Sequence, residues 1–518
     1  MEGDLLGSLG LGLRTCLQIV WLADPLFGVL LPIPINLFWC LVGAIIGTAI
    51  GVLPGVGPVA TMALLLPVTY LLPAEGALIM LAGIYYGAQY GGSTTAILVN
   101  LPGESSSVVT TLDGYQMARQ GRAGPALAIA AIGSFFAGCV ATVAIAVAAP
   151  PLTRLAQQFT PPDYFSLMVL GLVFAIVLAS GSILKALGMV FLGMLLGLVG
   201  TDVNTGNTRY TFEISDLFDG IGFVPLAMGV FGIAEIIANL TSSDRTALTS
   251  SKVAGLFPSA EDIRRSIAPI LRGTFLGGLL GILPGGGAIL ASFSAYTVEK
   301  RISRTPEKFG TGMIEGVAAP ESANNAAAQT SFIPMLTLGI PSNAVMAMMI
   351  GGMMIHGIVP GPQVMEQRPG LFWGMIVSMW FGNLMLVVLN LPLIGLWVRL
   401  LLVPYRLLAI AILFFCCVGV YSLNNSANEV LFIAFFGLFG YVLMKLGCEP
   451  APLLLGFLLG PMMEVYMRRA MLLSRGDPWV FLQRPLSLTF LVLAALLLLF
   501  IVVPNVRKAR DVAFREAN

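Results

Sequence analysis

Apolar stretches long enough to cross a bilayer recur along this chain, at 125–151, 222–240 and 486–503 among others, and they leave few folds open. About 20 apolar residues in an α-helix span the hydrocarbon. No water is present there to pair main-chain N–H and C=O groups, so each crossing segment must satisfy its own backbone. Composition agrees: 57% of the 518 residues are hydrophobic and 10% charged, where a soluble protein carries roughly 25% charged residues. The sequence therefore predicts an all-α polytopic membrane protein with about 10–12 transmembrane segments. A net charge of +1 gives no global field to draw nucleic acid. Cys16, Cys40, Cys139, Cys416, Cys417 and Cys448 lie in apolar surroundings without CxxC spacing and read as small packing residues. The start, MEGD, lacks the basic region of a cleavable signal peptide. Segment 5–22 is apolar but carries Arg14, and is compatible with either a first span or an interfacial helix.

Two apolar stretches are broken in the same way. Residues 51–60 read GVLPGVGPVA and residues 281–290 read GILPGGGAIL, an offset of 230. Further along, NLPGE at 100–104 faces GIPSN at 339–343, an offset of 239. Two anchors in the same order predict an internal duplication. Lys and Arg, which favour the cytoplasmic side, give its orientation. TYLLPAEG (69–76) has no basic residue, whereas its counterpart 298–308 carries Lys300, Arg301, Arg304 and Lys308. Segment 118–124 carries Arg119 and Arg122, whereas its counterpart 356–363 has none. Both differences predict halves that face opposite ways. Arg468, Arg469, Arg475 and Arg484, in a segment that inversion places outside, run against this rule. The chain then divides into an N-terminal apolar or amphipathic segment (1–34), a first membrane repeat (35–244), a basic cytoplasmic linker (245–272), a second membrane repeat (273–503) and a cytoplasmic tail (504–518).

Matching Gly/Pro interruptions in two halves point to the binding site of a transporter, because irregular backbone at membrane depth is tolerated only where protein or a water-filled cavity covers it. Kinked helices with small-residue packing are the plainer reading. That reading does not explain why polar residues gather at the second anchor of each half, in YYGAQYGGSTTAILVNLPGESSS (85–107) and APESANNAAAQTSFIPMLTLGIPSNA (319–344). No Lys or Arg occurs between Arg14 and Arg119, or between Lys308 and Arg368. A carboxylate would thus be held by helix N-termini and polar side chains. The candidates are Ser93, Thr94, Thr95, Asn100, Ser105 and Ser106, then Ser322, Asn324, Asn325, Ser342 and Asn343. Main-chain carbonyls at the breaks suit a small cation such as Na+, which makes Gly51, Pro54, Gly55, Gly57, Gly103 and Glu104 candidates, with Gly281, Pro284, Gly285 and Gly287 in the second half.

Glu104, at a Pro-Gly break, reads either as a cation ligand or proton carrier or as a helix cap. Glu321 reads as the cap of a helix beginning near Ser322. His356 reads as an interfacial residue, since a metal site needs about three or four clustered ligands. GVGPVA lacks the βαβ context of a dinucleotide fingerprint, GESSS lacks the spacing of a nucleophile elbow, and no Walker motif is present. A carboxylate-permeable channel, a membrane scaffold and, most weakly, an intramembrane enzyme are the competing classes.

The motifs IGVLPGVGPVATMALLLPVTY, LKALGMVFLGMLLGLVGTDVNTG and GVAAPESANNAAAQTSFIPMLTLGIPSNAVMAMM, together with the polar stretch after Met80, resemble the large membrane subunit of tripartite tricarboxylate transporters. The resemblance covers nearly the whole chain, less clearly its first 35 or so residues. It implies a multi-pass permease of the bacterial inner membrane, driven by a sodium gradient and without cofactor or enzymatic activity. Its implied partners are a small four-helix membrane subunit and a periplasmic solute-binding protein that delivers a di- or tricarboxylate. It also implies that segments 51–58 and 281–287 are re-entrant or discontinuous helices, and that Gly92–Thr95, Asn100–Ser106, Glu321–Asn325 and Pro341–Asn343 line the site.

Overall fold

The computed structural model describes residues 5–23, 30–53, 57–179, 182–202, 205–241, 255–283, 287–400 and 405–502. The main helices of the first half are α1 (Leu5–Cys16), α2 (Ile35–Val52), α3 (Pro58–Tyr70), α4 (Ala74–Val99), α5 (Ala123–Gln157), α6 (Pro161–Leu178), α7 (Ile183–Gly197) and α8 (Phe223–Thr241). The second half has α9 (Ala260–Leu280), α10 (Gly287–Ile302), α11 (Glu315–Thr330), α12 (Phe332–Leu338), α13 (Ala344–Ile355), α14 (Pro369–Asn390), α15 (Tyr405–Asn424), α16 (Ala427–Lys445), α17 (Pro450–Leu473) and α18 (Pro485–Val502). Six helices are long and apolar enough to cross a membrane, and six shorter apolar helices of 10–17 residues accompany them, among the described residues.

Helix α2 ends at Val52 and the chain resumes as helix at Pro58; α9 ends at Leu280 and the chain resumes at Gly287. Both interrupted helices therefore fall where Gly-x-x-Pro-Gly was read. Their packing repeats as well. Gly43, Gly47 and Gly51, one turn apart on α2, rest on the main-chain oxygens of Met80, Ile84 and Ala88 of α4, and a β-carbon at any of the three would clash. Gly273, Gly277 and Gly281 of α9 rest in the same way on Ala319, Ala323 and Ala327 of α11. These six pairs keep the offsets of 230 and 239 found between the motifs. Small residues allow such backbone approach between membrane helices, where dispersion replaces the hydrophobic effect as the attraction.

One open alternative falls away and two expectations need correction. Segment 5–22 is not a span: α1 ends at Cys16, and the chain turns into a hairpin of β1 (Ile19–Ala23) and β2 (Leu30–Pro34). A helix of 12 residues reaches only about 18 Å, short of the roughly 30 Å hydrocarbon. It packs on α14 instead, where the Cys16 thiol donates to the carbonyl of Gly374 at 3.2 Å. The β1–β2 hairpin and a second small one, β3 (Gly200–Thr201) and β4 (Thr208–Arg209), are the exceptions to an all-helical fold among the described residues. The linker read as 245–272 ends earlier, because Ser259 and Asp262 form a capping box that starts α9 at Ala260. Arg264, Arg265 and Arg272 therefore lie on a helix, while Arg245, Lys252 and the tail 504–518 fall outside the described residues. Glu321 caps no helix: α11 begins six residues before it, at Glu315, with Pro320 inside the first turns.

Loop contacts sort into groups. Arg122 pairs with Asp262, and Gln120 donates to the carbonyl of Thr311 at 2.7 Å, so 118–124, the start of α9 and the turn after α10 share one end. His356, at the end of α13, lies beside Thr69 and Glu75. In a third group Arg468 pairs with Asp202 (3.2 Å) and Glu464 (2.6 Å), Arg209 bridges the same two acids, and Arg484 pairs with Asp163 (3.3 Å). Two of the four arginines that run against the charge rule, Arg468 and Arg484, are thus paired with acids of the first half.

Asp113 fastens the halves together. It sits in a π-helical turn, Thr111–Tyr115, fully buried, and its Oδ1 accepts the N–H groups of Gly310, Gly312 and Met313 at 2.8–2.9 Å. Its Oδ2 accepts the Tyr296 hydroxyl at 2.9 Å. Asp113→Ala leaves these donors unpaired, at about 1–3 kcal/mol each. The expected result is a marked fall in the thermal midpoint of the detergent-purified protein; an unchanged midpoint would refute the clasp.

Candidate functional site

The four breaks meet at one cavity of about 550 Å3. Gly57 and Pro58 from the first break line it, Pro102–Ser106 from the second, Gly287–Ile289 from the third and Asn343–Val345 from the fourth. The N-termini of α3, α10 and α13 therefore open into a common space, joined by that of α17 at Glu449–Ala451. Each such terminus presents unpaired N–H groups and the positive end of a helix dipole. Among the described residues that line the cavity there is no lysine, arginine or histidine, and there are three glutamates, Glu104, Glu235 and Glu449.

Glu104 is seated by glycine. A β-carbon at Gly92 would meet its side chain, and one at Gly103 would clash with the Gly51 carbonyl and crowd Thr95, so the second break presses directly onto the end of α2. Oε1 of Glu104 accepts the Ser106 hydroxyl and, at 3.5 Å, the Asn324 amide. Ser106 also reaches Gln89 Oε1 at 2.9 Å. The capping reading of Glu104 holds: its carboxylate closes a capping box with Ser107, and the residue also lines the cavity. The Asn324 Oδ1 is buried without a partner, an acceptor beside a carboxylate, which is the donor set a small hard cation takes. The Thr95 hydroxyl lies 3.2 and 3.4 Å from the Gly51 and Val52 carbonyls, the last of α2.

Behind this layer Glu321 is buried in the protein interior, accepting the hydroxyls of Ser93 at 2.5 Å and of Thr110. It joins α4, α11 and the short turns after the second break. Asn343 caps α13 through a 2.9 Å bond to the Met346 N–H and faces the cavity. Ser105 lines it from an exposed position.

Other candidates lie elsewhere. Asn100 is an exposed left-handed cap at the end of α4. Thr94 bonds back to Tyr90 of its own helix at 3.3 Å, and Ser322 to Ala318 at 2.7 Å, facing Gly133 of α5. Asn325 bridges to Ser134 of α5 at 2.7 Å, and Ser342 donates to the Ser331 carbonyl at 3.3 Å. Gly281 is spent on packing against α11. Pro54, Gly55, Pro284 and Gly285 fall outside the described residues.

Five participants went unread in the sequence: Tyr85 and Gln89, which line the cavity from α4, Thr110, Glu235 and Glu449. Tyr85, Gln89 and Ser93 recur every four residues and share one face of a helix. Glu235 stood in view as an ionisable residue inside the apolar stretch 222–240, by default a functional position. It follows a π-segment of α8, Met228–Ile233, and accepts the main-chain N–H of Gly57.

A polytopic helical protein whose interrupted helices meet at a common cavity has the architecture of a membrane transporter. The sequence profile of the tripartite tricarboxylate transporter TctA family matches residues 37–455, and the chain belongs to that family. It is thus a multi-pass subunit of a tricarboxylate transporter, in a family of transport proteins and not of enzymes. The chain is 55% identical over 513 residues, 99% of both chains, to an Agrobacterium vitis protein named "Uncharacterized 52.8 kDa protein in TAR-I ttuC' 3'region". A second Agrobacterium vitis protein, "Uncharacterized protein in TAR-II ttuC' 3'region", is 57% identical over 240 residues, 99% of its own length and 46% of this chain. No solved structure gives a significant match.

Proposed function

We propose that the chain is the permease of a sodium-coupled symporter that imports a di- or tricarboxylate of the citrate type. The observation that carries this reading is the cavity itself: four helix N-termini and no basic side chain among its described lining residues. Helix N-termini suit carboxylates, but three glutamates in the same wall oppose an anion arriving alone. Cations entering with it remove that opposition. Glu104, the free Asn324 Oδ1 and the carbonyls ending α2 offer them oxygen ligands. The membrane potential argues the same way. One charge moved against 100 mV costs about 2.3 kcal/mol, so a trianion entering a negative cell costs about 7 kcal/mol. Three sodium ions cancel that cost, and a dianion needs two.

The pairwise contacts of 118–124 with the end of the second-half loop 298–313, and of 69–76 with 356, support halves inserted in opposite senses. In this reading the protein lies in the bacterial inner membrane beside a small four-helix subunit, and a periplasmic binding protein delivers the substrate. Proteoliposomes carrying the chain with both partners should accumulate labelled citrate above the external level when sodium is present outside. Replacing sodium with choline should abolish accumulation. Uptake indifferent to that replacement would sink the coupling, and equilibration without accumulation would mark a channel.

A further inference from the structure

A second cavity, of about 570 Å3, opens between α9, α10 and the turn that follows them. Its walls carry Arg265, Arg272, Arg304 and Lys308, against Glu261, Glu299 and Glu315. Two of the acids are engaged. Arg265 Nε and Nη2 bind Glu315 at 2.7 and 2.8 Å, and Arg272 Nε and Nη2 bind Glu299 at 2.5 and 2.8 Å. A guanidinium has five N–H donors in a fixed plane, so each pair orients its arginine and leaves the Nη1 edge available. Arg304 and Lys308 are exposed and make no ion pair among the described residues. The remaining acid of the lining, Glu261, makes no ion pair among the described residues and lies near Arg265.

The flank of this cavity is apolar and uncovered. Leu271 and Phe275, on the turns of α9 either side of Arg272, are 52% and 72% exposed, and Ile302, at the end of α10, is 57% exposed. A cationic cavity with an apolar flank matches the two halves of a phospholipid. Its surroundings are the basic end of the chain, with Lys300 and Arg301 exposed beside it, which the distribution of Lys and Arg assigns to the cytoplasmic leaflet, where anionic headgroups gather.

We propose that the cavity between α9 and α10 binds the phosphate-bearing headgroup of an anionic lipid, through Arg304, Lys308 and the free edges of Arg265 and Arg272, with the acyl chains along Leu271 and Phe275. The lipid then sits at the foot of α10, whose other end, Gly287, lines the transport cavity.

The test uses the full chain in detergent, exposed to phosphatidylglycerol, phosphatidylcholine or glycerol 3-phosphate, and read by native mass spectrometry and thermal midpoint. Phosphatidylglycerol should be retained and should raise the midpoint, and phosphatidylcholine should do neither. Arg304→Gln combined with Lys308→Gln should weaken phosphatidylglycerol retention about 10- to 30-fold at low salt and leave the lipid-free midpoint unchanged. Equal binding of the two lipids, or full retention by the double variant, would overturn the proposal. An equal midpoint rise with glycerol 3-phosphate alone would overturn the lipid assignment and leave a site for soluble anions.

Discussion

Glu104→Gln is expected to cut sodium-driven uptake about 100-fold and weaken the apparent sodium affinity, with the yield of folded protein unchanged. The substitution keeps the shape that Gly92 accommodates and the partners Ser106 and Asn324. It removes only the charge. A desolvated charge that loses its partner costs roughly 3–5 kcal/mol, and about 1.4 kcal/mol is tenfold, so two decades is the conservative end. The measurement is the initial rate of labelled carboxylate uptake against sodium concentration in proteoliposomes. A capping role alone predicts lower stability with the sodium dependence intact, so the shape of the curve separates the two roles. Full activity in the variant would remove Glu104 from the coupling machinery.

Gly277→Val should prevent stable assembly of the second half, and Gly47→Val of the first. In each case the new side chain must enter the space held by a main-chain carbonyl, that of Ala323 or Ile84. Backbone cannot yield as the end of a flexible side chain does, and overpacking of a tight interior costs about 1–3 kcal/mol, occasionally more. Because the glycines repeat at every turn of the contact, the shift propagates along both helices, and near-complete loss of monodisperse protein is expected by size-exclusion chromatography. Gly188→Ala provides the contrast. A β-carbon there meets nothing within 4 Å, and replacing glycine in a helix stabilises by roughly 0.5–1 kcal/mol. If Gly277→Val behaves like Gly188→Ala, the close packing of α9 on α11 is wrong.

The breaks were legible because proline and glycine interrupt helices for local reasons that a sequence displays. Their convergence was legible only through repetition: two matching interruptions with matching polar neighbours. Side-chain direction was not. Thr94 and Thr95 are adjacent, yet one turns back on its own helix and the other reaches the end of α2. Asn324 and Asn325 split likewise, toward Glu104 and toward Ser134 of α5. A residue's type announces polarity, and only the rotation of its helix decides what that polarity meets. Glu321 reads as the cap of a helix beginning near Ser322, whereas that helix is already under way from Glu315. Arg468 and Arg484 pair with Asp202 and Asp163, long-range contacts that no local charge count includes.

The most direct test is an experimental structure of the assembled transporter with sodium and bound substrate. Carboxylate density should lie between Gly57, Ser106, Gly287 and Asn343, within hydrogen-bonding reach of the main-chain N–H groups that start α10 and α13, with cation density beside Glu104 and Asn324. Substrate density outside this cavity, or held there by lysine or arginine side chains, would contradict the account.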